Sequence, residues 1–385
     1  MKVLFIQKIV AVSGSEQYYL QLLPKLQSEG VECCFLGLLP SIDSLDENLS
    51  EFVSDLKNNG VDVHFIKVPN RVISISAVIK LVKFIKKEDF DIVQSNLIHA
   101  DVYVAFARLI GRVKSKLVST YHSFDSKSYQ RLFGFDNVEY RNLFYYMACF
   151  SQRFFDHTIV ISDGLKHLLL QKGLQKPTRL TRIHYGFDFK TKKLGLEKTY
   201  RRSANQLLMV GRLVPVKMHL AIISILRELA SEIKDLSLVI VGDGPYREAL
   251  ESAVLDYSVA DIVFFEGFRK NVHNYYAYSD LNLVLSKAEG FGVVILEAFQ
   301  YECPVLAWDA PAMNEIIVHG KSGFLVEKYD LEKLRETIVH YFSCKDDLKK
   351  IISVNAKNRL HAYFSVDRMA DETLSLYLSL SSCAK

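Results

Sequence analysis

Short apolar runs of strand length alternate with segments of helical periodicity along the chain. The runs lie at residues 3–6, 92–94, 117–119, 207–210, 236–241, 262–265 and 281–285. Nearly continuous hydrophobic runs of this length are typical of parallel strands that helices cover on both faces. The pattern therefore predicts an α/β protein whose halves are both Rossmann-like, with parallel sheets.

The length and the pattern together predict two domains. A chain of 385 residues exceeds the size at which a single hydrophobic core usually keeps growing. A basic stretch with poor periodicity at residues 191–204 interrupts the alternation, and we interpret it as a linker. The first domain is expected at residues 1–190 and the second at residues 205–363. Residues 364–385 show a capping-type serine followed by helical periodicity, which predicts a terminal helix.

Two glutamates flank a glycine-rich turn in the second half. Glu289 and Glu297 are eight positions apart, and the sequence Gly-Phe-Gly stands between them at residues 290–292. Glycine lets backbone N–H groups approach an anion closely, and a helix that begins at this turn directs its free amides and its positive dipole end at a phosphate. Either glutamate alone is equally explained as a solvated side chain. Together with the turn, the pair indicates a sugar-nucleotide site.

A second element upstream supplies positive charge. An apolar run ends in Gly211 and Arg212, and Lys217 follows five residues after the arginine. A nucleoside diphosphate that leaves a sugar gains negative charge, which fixed guanidinium and ammonium groups can stabilise where no metal does so. Taken alone, an arginine and a lysine at this spacing are more often two surface cations at the end of a strand. Its combination with the glutamate pair favours a diphosphate site.

Composition narrows the class of protein. The net charge is +4, with 24 Lys and Arg against 19 Asp and Glu in residues 1–190, and 24 against 25 in residues 191–385. This excess is too thin to predict a nucleic-acid partner, although a basic first half could favour an anionic lipid surface or a pyrophosphate-bearing acceptor. The six cysteines show no metal-binding spacing, and no apolar run approaches a membrane span or resembles a signal peptide. We expect a cytoplasmic protein without a metal or another cofactor.

Aromatic and basic residues are concentrated at residues 129–155. Tyr140, Phe144, Met147, Ser151 and Phe154 fall on one mostly apolar stripe of a predicted helix that leads into a strand at residues 157–161. Core packing is the preferred interpretation of this stripe. Peripheral contact with the cytoplasmic face of the membrane is the alternative, because aromatics interleaved with arginines also describe an interfacial helix.

The ordered motifs of the chain resemble a known enzyme family. Beyond the two segments above they include Val-Gly-Asp-Gly-Pro at residues 241–245, Phe-Glu-Gly-Phe at 265–268, Ser-Asp-Leu at 279–281, Cys-Pro-Val-Leu-Ala at 303–307 and Asn-Glu-Ile-Ile at 314–317. The first half matches less closely, at residues 13–16, 119–122, 159–162 and 185–188. The chain is similar to the retaining glycosyltransferases of family 4. The resemblance implies a GT-B fold, in which two Rossmann-like domains face each other across a cleft and the terminal helix packs back on the first domain.

The resemblance also implies a role for each candidate residue of the second domain. Arg212 and Lys217 would bind the diphosphate, Glu297 would accept hydrogen bonds from the ribose hydroxyls, and Glu289 would contact the donor sugar. The backbone amides of the glycine-rich turn would approach the phosphates and the sugar. The residues of this turn are Gly290, Phe291, Gly292, Val293 and Val294.

Four further residues complete the implied site. His122 matches a histidine that contacts the donor sugar or the reaction centre in the family, although a single histidine at a strand end is usually structural. Gly14 would let the first domain close over the diphosphate, and Gly211 belongs to the donor-binding loop. Phe268 would place its backbone against the nucleobase, which is a weaker assignment.

The resemblance implies metal-independent, front-face transfer with retention of configuration. The donor would be a nucleotide sugar, with UDP-sugars favoured over GDP-sugars, and the acceptor a saccharide or lipid-linked saccharide, as in cell-surface polysaccharide synthesis. Two other functions stay open: a sugar-nucleotide epimerase on the same fold, and a non-catalytic nucleotide-sugar-binding protein. The chain departs from the family where Met218 replaces a glycine that commonly follows the lysine.

Overall fold

The chain folds into two compact units. The computed structural model describes residues 1–9, 14–40, 47–69, 73–122, 143–188, 195 and 200–382. The first unit comprises residues Met1–Asp188 and Phe364–Lys385, and the second comprises Phe189–Tyr363. Most of the predicted linker, residues 191–194 and 196–199, lies outside the described residues.

Seven parallel strands form the sheet of the first unit. They are β1 (Lys2–Lys8), β2 (Glu32–Leu39), β3 (Asp62–Lys67), β4 (Ile92–Asn96), β5 (Lys116–Tyr121), β6 (His157–Val160) and β7 (Leu180–Arg182). Their order is β3-β2-β1-β4-β5-β6-β7, and each neighbouring pair is parallel. The chain thus moves outward from β1 to β3 and then returns to the other side of β1.

Helices connect these strands and cover both faces of the sheet. They are α1 (Gly14–Ser28), α2 (Glu47–Asn58), α3 (Ile75–Glu88), α4 (Leu97–Gly111), α5 (Leu143–Ser151) and α6 (Asp163–Gln171). The interior strands β1 and β4 are almost wholly buried, as strands covered on both faces are. In β4 the buried residues include the polar Gln94, Ser95 and Asn96.

The second unit repeats this architecture with six parallel strands. They are β8 (Asn205–Val210), β9 (Leu236–Val241), β10 (Val263–Gly267), β11 (Leu281–Val284), β12 (Val305–Trp308) and β13 (Phe324–Val326), in the order β10-β9-β8-β11-β12-β13. The helices are α7 (His219–Ile223), α8 (Leu226–Glu232), α9 (Arg247–Asp256), α10 (His273–Ala277), α11 (Val293–Gln300), α12 (Met313–Ile316), α13 (Leu331–Ser343) and α14 (Asp346–Tyr363). The predicted pair of Rossmann-like parallel sheets is therefore present.

The terminal helix α15 (Val366–Ser382) belongs to the first unit and packs against α1. A side chain at Gly186 would place its Cβ atom 2.2 Å from the carbonyl oxygen of Ser365, so glycine is required where the chain enters this helix. The Phe187 N–H donates to the carbonyl of Phe364 at 2.9 Å, and Lys25 pairs with Asp367 at 2.8 Å. These contacts fix the start of α15 on the first unit.

The aromatic segment differs from the prediction in where its helix ends. Residues 123–142, which include Tyr140, lie outside the described residues, as does the side chain of Phe144. Helix α5 ends at Ser151, and Phe154 lies in a following 3-10 turn, so the helical stripe predicted to run on to Phe154 is interrupted. Phe150 packs on Phe106 of α4 with ring centroids 5.1 Å apart. Within the described residues, no helix has both the length and the apolarity to cross a bilayer.

Candidate active site

The predicted site residues of the second unit gather where its strand order reverses. The loop after β8 and the loop after β11 meet at this switch point, because β8 and β11 are neighbours in the sheet although β9 and β10 separate them in the chain. The Lys287 N–H donates to the carbonyl of Val216 at 2.8 Å, which ties the two loops together. Ligands of open α/β sheets bind at such a point, beyond the carboxyl ends of the strands.

A cation and a carboxylate pair across these two loops. Lys217 lies in a 3-10 turn, Pro215–Lys217, and its Nζ atom is 2.5 Å from Oε1 of Glu289. The same carboxylate oxygen accepts a hydrogen bond from Ser286 Oγ at 2.5 Å. The Lys217 and Glu289 side chains are 23% and 15% exposed, so the pair is partly shielded but within reach of a ligand. The structure thus brings together two residues that the sequence singled out separately.

A cavity of about 380 Å³ lies beside this pair at the carboxyl ends of β8, β9 and β10. Gly211 and Arg212 line it together with the exposed Phe268. An added Cβ atom on Gly211 would lie 3.7 Å from Cε of Lys217, so the lysine side chain passes close to this lining residue. Arg212 is exposed, and among the described residues it forms no ion pair. A free guanidinium and an aromatic ring therefore border one concave space. The lining residues are Val210, Gly211, Arg212, Val241, Gly242, Asp243, Phe268, Arg269 and Val272.

Close backbone packing shapes this cavity. A side chain at Gly242, where φ is +145°, would place its Cβ atom 1.9 Å from the carbonyl oxygen of Gly211. The Gly211 N–H donates to the Val241 carbonyl at 2.9 Å, and the Gly242 N–H donates to the Gly267 carbonyl at 2.8 Å. These bonds link the ends of three adjacent strands. The glycines therefore set the position of the Arg212 loop.

The glycine-rich turn opens a helix, as the sequence predicts. Gly292 has φ +95° and immediately precedes α11, whose first residues are Val293 and Val294. Phe291 is buried, whereas Gly290 is partly exposed. The Ile295 N–H already donates to the Gly292 carbonyl at 2.9 Å, whereas the amides of Val293 and Val294 stand at the helix start, where the helix offers no carbonyl acceptor, so they can donate to an anion.

Glu297 is held by a residue that the sequence did not identify. It lies in the second turn of α11, and Tyr276 Oη on α10 donates to its Oε2 at 2.9 Å. Tyr276 is fully buried, and burial followed by the nearby Glu297 carboxylate raises its pKa well above the ordinary value, so its hydroxyl stays a donor. This bond fixes the orientation of the carboxylate.

The residue after the lysine adopts a backbone conformation that favours glycine. Met218 has φ +54° and ψ +38°, in the left-handed region. An L side chain in that region costs about 1–2 kcal/mol, so glycine would fit this position better than methionine. His219 follows and is buried, and its burial, together with the charge of Lys217, lowers its pKa to about 4. A neutral imidazole thus lies beside the cation.

The two remaining predicted site residues belong to the first unit. Gly14 is the first residue of α1 and not part of a loop. His122 follows β5, and its Nδ1 shares a hydrogen bond with Tyr185 Oη while its ring packs edge-on against Tyr18 at 4.8 Å. Burial lowers the pKa of His122 to about 3, so it is neutral at physiological pH. Its Nε2 atom is buried and has no hydrogen-bond partner among the described residues.

Tyr276 and Ser286 act on the predicted glutamates but escaped the sequence analysis. Ser286 lies three residues before Glu289 and the short spacing was a usable signal, since both belong to one loop. Tyr276 lies 21 positions from Glu297, and no local pattern indicates their contact.

Two family models together match most of the chain. The family model described as Glycosyltransferase Family 4 matches residues 12–191, and the one described as Glycosyl transferases group 1 matches residues 197–359. Each model thus matches one of the two Rossmann-like halves. Between them they cover most of the sequence.

Individual proteins agree with these matches. The chain is 25% identical to the UDP-Gal:alpha-D-GlcNAc-diphosphoundecaprenol alpha-1,3-galactosyltransferase of Escherichia coli, over 94% of this chain and 96% of the relative. It is 25% identical to the capsular polysaccharide biosynthesis glycosyltransferase CapM of Staphylococcus aureus, over 57% of this chain and 60% of the relative. The crystal structure of Anabaena HepE in complex with UDP has the same fold, with a TM-score of 0.78 at 22% identity over 98% of this chain and 100% of the other. The predicted fold class and family are confirmed: the chain is a glycosyltransferase with the GT-B fold and belongs to family 4.

Proposed function

We propose that this enzyme transfers a sugar from a UDP-sugar to a saccharide or lipid-linked saccharide acceptor in cell-surface polysaccharide synthesis, with retention of configuration and without a metal ion. The observation that carries the proposal is the Lys217–Glu289 pair at the switch point of the second sheet, beside the cavity lined by Arg212. It joins a cation for the diphosphate to a carboxylate for the sugar.

The relatives support the choice of donor and acceptor. The E. coli relative is named for UDP-galactose and for an acceptor linked to diphosphoundecaprenol. Structures of the Anabaena protein contain UDP, UDP with glucose, and UDP-glucose. Other relatives are named for GDP-mannose, so the preference for uridine rests on the relative that matches along nearly the whole chain. The named relatives are transferases, which favours transfer over epimerisation or binding alone.

Charge stabilisation is the main contribution of the second unit in this mechanism. As the bond between the anomeric carbon and the diphosphate oxygen breaks, negative charge builds up on the diphosphate. Arg212 and Lys217 provide guanidinium and ammonium donors for it, and the backbone amides of Val293 and Val294 at the start of α11 add to them.

Glu289 and Glu297 orient the two ends of the donor. Glu297, held by Tyr276, accepts hydrogen bonds from the ribose, while Glu289 contacts hydroxyls of the transferred sugar. The acceptor hydroxyl attacks the anomeric carbon from the leaving-group face and passes its proton to the departing phosphate oxygen. His122 is neutral at physiological pH, so it is suited to a hydrogen bond with the donor sugar and not to charge stabilisation.

The proposal is tested by transfer assays with the purified enzyme. UDP-glucose, UDP-galactose, UDP-N-acetylglucosamine and GDP-mannose are each supplied with a short-chain N-acetylglucosaminyl diphospholipid in the presence of EDTA. We expect one UDP-sugar to give an α-linked product, identified by the coupling constant of its anomeric proton. A product formed only with manganese, a β-linked product, or exclusive use of GDP-mannose would each contradict it.

A further inference from the structure

Exposed apolar side chains in the first unit are concentrated on one face of its sheet. Right-handed crossovers place α1 and α2 on one face and α3, α4 and α5 on the other, and α4 packs against both α3 and α5. Among the described residues of this unit, eight large apolar side chains are exposed, and seven of them belong to the second group of helices or directly precede it. These seven are Ile73, Ile75, Ile79, Leu109, Ile110, Leu143 and Tyr146. We call this surface the α3–α5 face.

Cations accompany these side chains. Exposed basic residues project from α3 and from the segment that follows α4, and they are Lys80, Lys83, Lys86, Lys87, Arg112 and Lys114. Of these, only Lys87 pairs with a carboxylate among the described residues, with Glu88 at 3.4 Å. Glu88 also binds Lys2 at 3.0 Å, so its charge is already compensated. The face therefore carries a net positive charge.

Helices α3 and α4 present one continuous surface. The Ser74 N–H at the start of α3 donates to Tyr103 Oη at 3.2 Å. Near the other end, an added Cβ atom on Gly111 would lie 2.6 Å from Val82, so the two helices are in tight contact. Both contacts join residues that are 29 positions apart, so the two helices run parallel and pair with a constant offset along the chain. The exposed residues of α3 and of the end of α4 are consequently neighbours.

The composition of this surface indicates its partner. The centre of a protein–protein interface is rich in aromatic residues and poor in lysine. On the α3–α5 face, by contrast, the exposed apolar side chains are mostly aliphatic, and they lie among lysines most of which form no ion pair within the described residues. Aliphatic groups that enter the boundary between headgroups and acyl chains, flanked by cations that attract anionic lipids, are the features of an interfacial membrane surface.

We infer that the α3–α5 face docks on an anionic phospholipid bilayer. The isoleucines near the start of α3 enter the headgroup boundary, while the lysines farther along α3 and Arg112 contact lipid phosphates. This docking would bring the enzyme to a lipid-linked acceptor, but it rests on the exposed residues of the first unit and not on the proposed donor or reaction. The inferred membrane contact includes α3 and the end of α4, whereas the sequence suggested such a contact only for the aromatic segment at residues 129–155.

Vesicle co-sedimentation tests the inference on the full chain. The wild-type protein should bind vesicles of phosphatidylglycerol and phosphatidylethanolamine, release them as the salt concentration rises, and fail to bind pure phosphatidylcholine. Each cation near an anionic surface contributes about 1 kcal/mol, so the combined change Lys80→Gln, Lys83→Gln and Lys86→Gln should weaken binding on the order of 100-fold. The change Ile75→Ser with Ile79→Ser should weaken it about 10-fold or more.

A matched control comes from the other side of the same unit. Lys57 on α2 and Leu378 on α15 are exposed and lie off the α3–α5 face, so Lys57→Gln with Leu378→Ser should bind vesicles as the wild type does. If the face variants bound vesicles as well as this control does, the inference would be overturned. It would also be overturned if the wild-type protein formed a dimer in solution and the isoleucine changes dissociated that dimer. UDP binding is measured in parallel for the wild type and all variants. If none of them bound UDP, the proposed function would be refuted, but the result on vesicle docking would still be valid.

Discussion

The Lys217–Glu289 ion pair provides the sharpest test of how the site takes up a diphosphate. Without a donor, the carboxylate holds the ammonium group at 2.5 Å, and this is the ammonium group that we propose binds phosphate. Glu289→Gln preserves the size of the side chain and an acceptor oxygen but removes the negative charge. Lys217→Ala removes the cation itself. The two changes therefore separate binding of the diphosphate from contact with the sugar.

The expected magnitudes follow from these contacts. A hydrogen bond to a charged group contributes about 1.5–3 kcal/mol, so Lys217→Ala should weaken UDP binding roughly 10- to 150-fold. In Glu289→Gln the carboxylate no longer competes for the lysine, and UDP should bind as tightly as to the wild type or up to about 10-fold more tightly. Transfer should nevertheless fall about 100-fold or more, because a charged contact to the reacting sugar is lost.

Isothermal titration with UDP and initial rates at saturating donor distinguish these outcomes. Lys321→Ala, which removes an exposed cation of the same unit outside the site, should change neither quantity. If Glu289→Gln weakened UDP binding as strongly as Lys217→Ala, the carboxylate would be needed to position the lysine, and the assignment of Glu289 to the sugar would be wrong.

Three further changes test other parts of the account. Gly242→Ala should lower the unfolding free energy measured by urea denaturation by more than about 3 kcal/mol, because the new Cβ atom would meet a carbonyl oxygen at 1.9 Å. The control Gly320→Ala, where φ is +70° and no atom lies within 4 Å, should lower it by only about 1 kcal/mol. Tyr276→Phe should raise the KM for the donor about 10-fold through Glu297 and leave kcat little changed, and an unaltered KM would contradict the positioning role. Burial raises the pKa of Asp101 to about 7, so wild-type stability falls as the pH rises from about 4 to 7. Asp101→Asn should therefore be about 1–3 kcal/mol more stable than the wild type at pH 8 and equally stable at pH 4, and equal stability at both values would exclude a buried, proton-binding carboxyl.

Features that depend on local pattern were predictable from the sequence. The apolar runs at residues 236–241 and 281–285 correspond to β9 and β11 because buried parallel strands need continuous hydrophobicity. The Gly-Phe-Gly turn opens α11 as expected, since glycine at 292 supplies the positive φ before the helix.

Contacts that depend on strand order were not predictable from the pattern. Lys217 and Glu289 are 72 positions apart, and they meet because β11 inserts beside β8 instead of continuing outward after β10. Tyr185 reaches His122 across 63 positions, and no local pattern indicates this contact either. Local periodicity carries no information about these neighbours, whereas the family resemblance supplied the grouping of the charged residues.

The central claim is that the second unit binds a nucleoside diphosphate directly with protein cations and a glycine-rich turn. A crystal structure of the enzyme with UDP, grown in the presence of EDTA, tests it most directly. We predict phosphate oxygens within hydrogen-bond distance of Arg212 and Lys217, ribose hydroxyls on Glu297, and no metal ion between protein and diphosphate. UDP bound away from the carboxyl ends of β8 and β11, or bound only when a divalent ion bridges it to the protein, would contradict the claim.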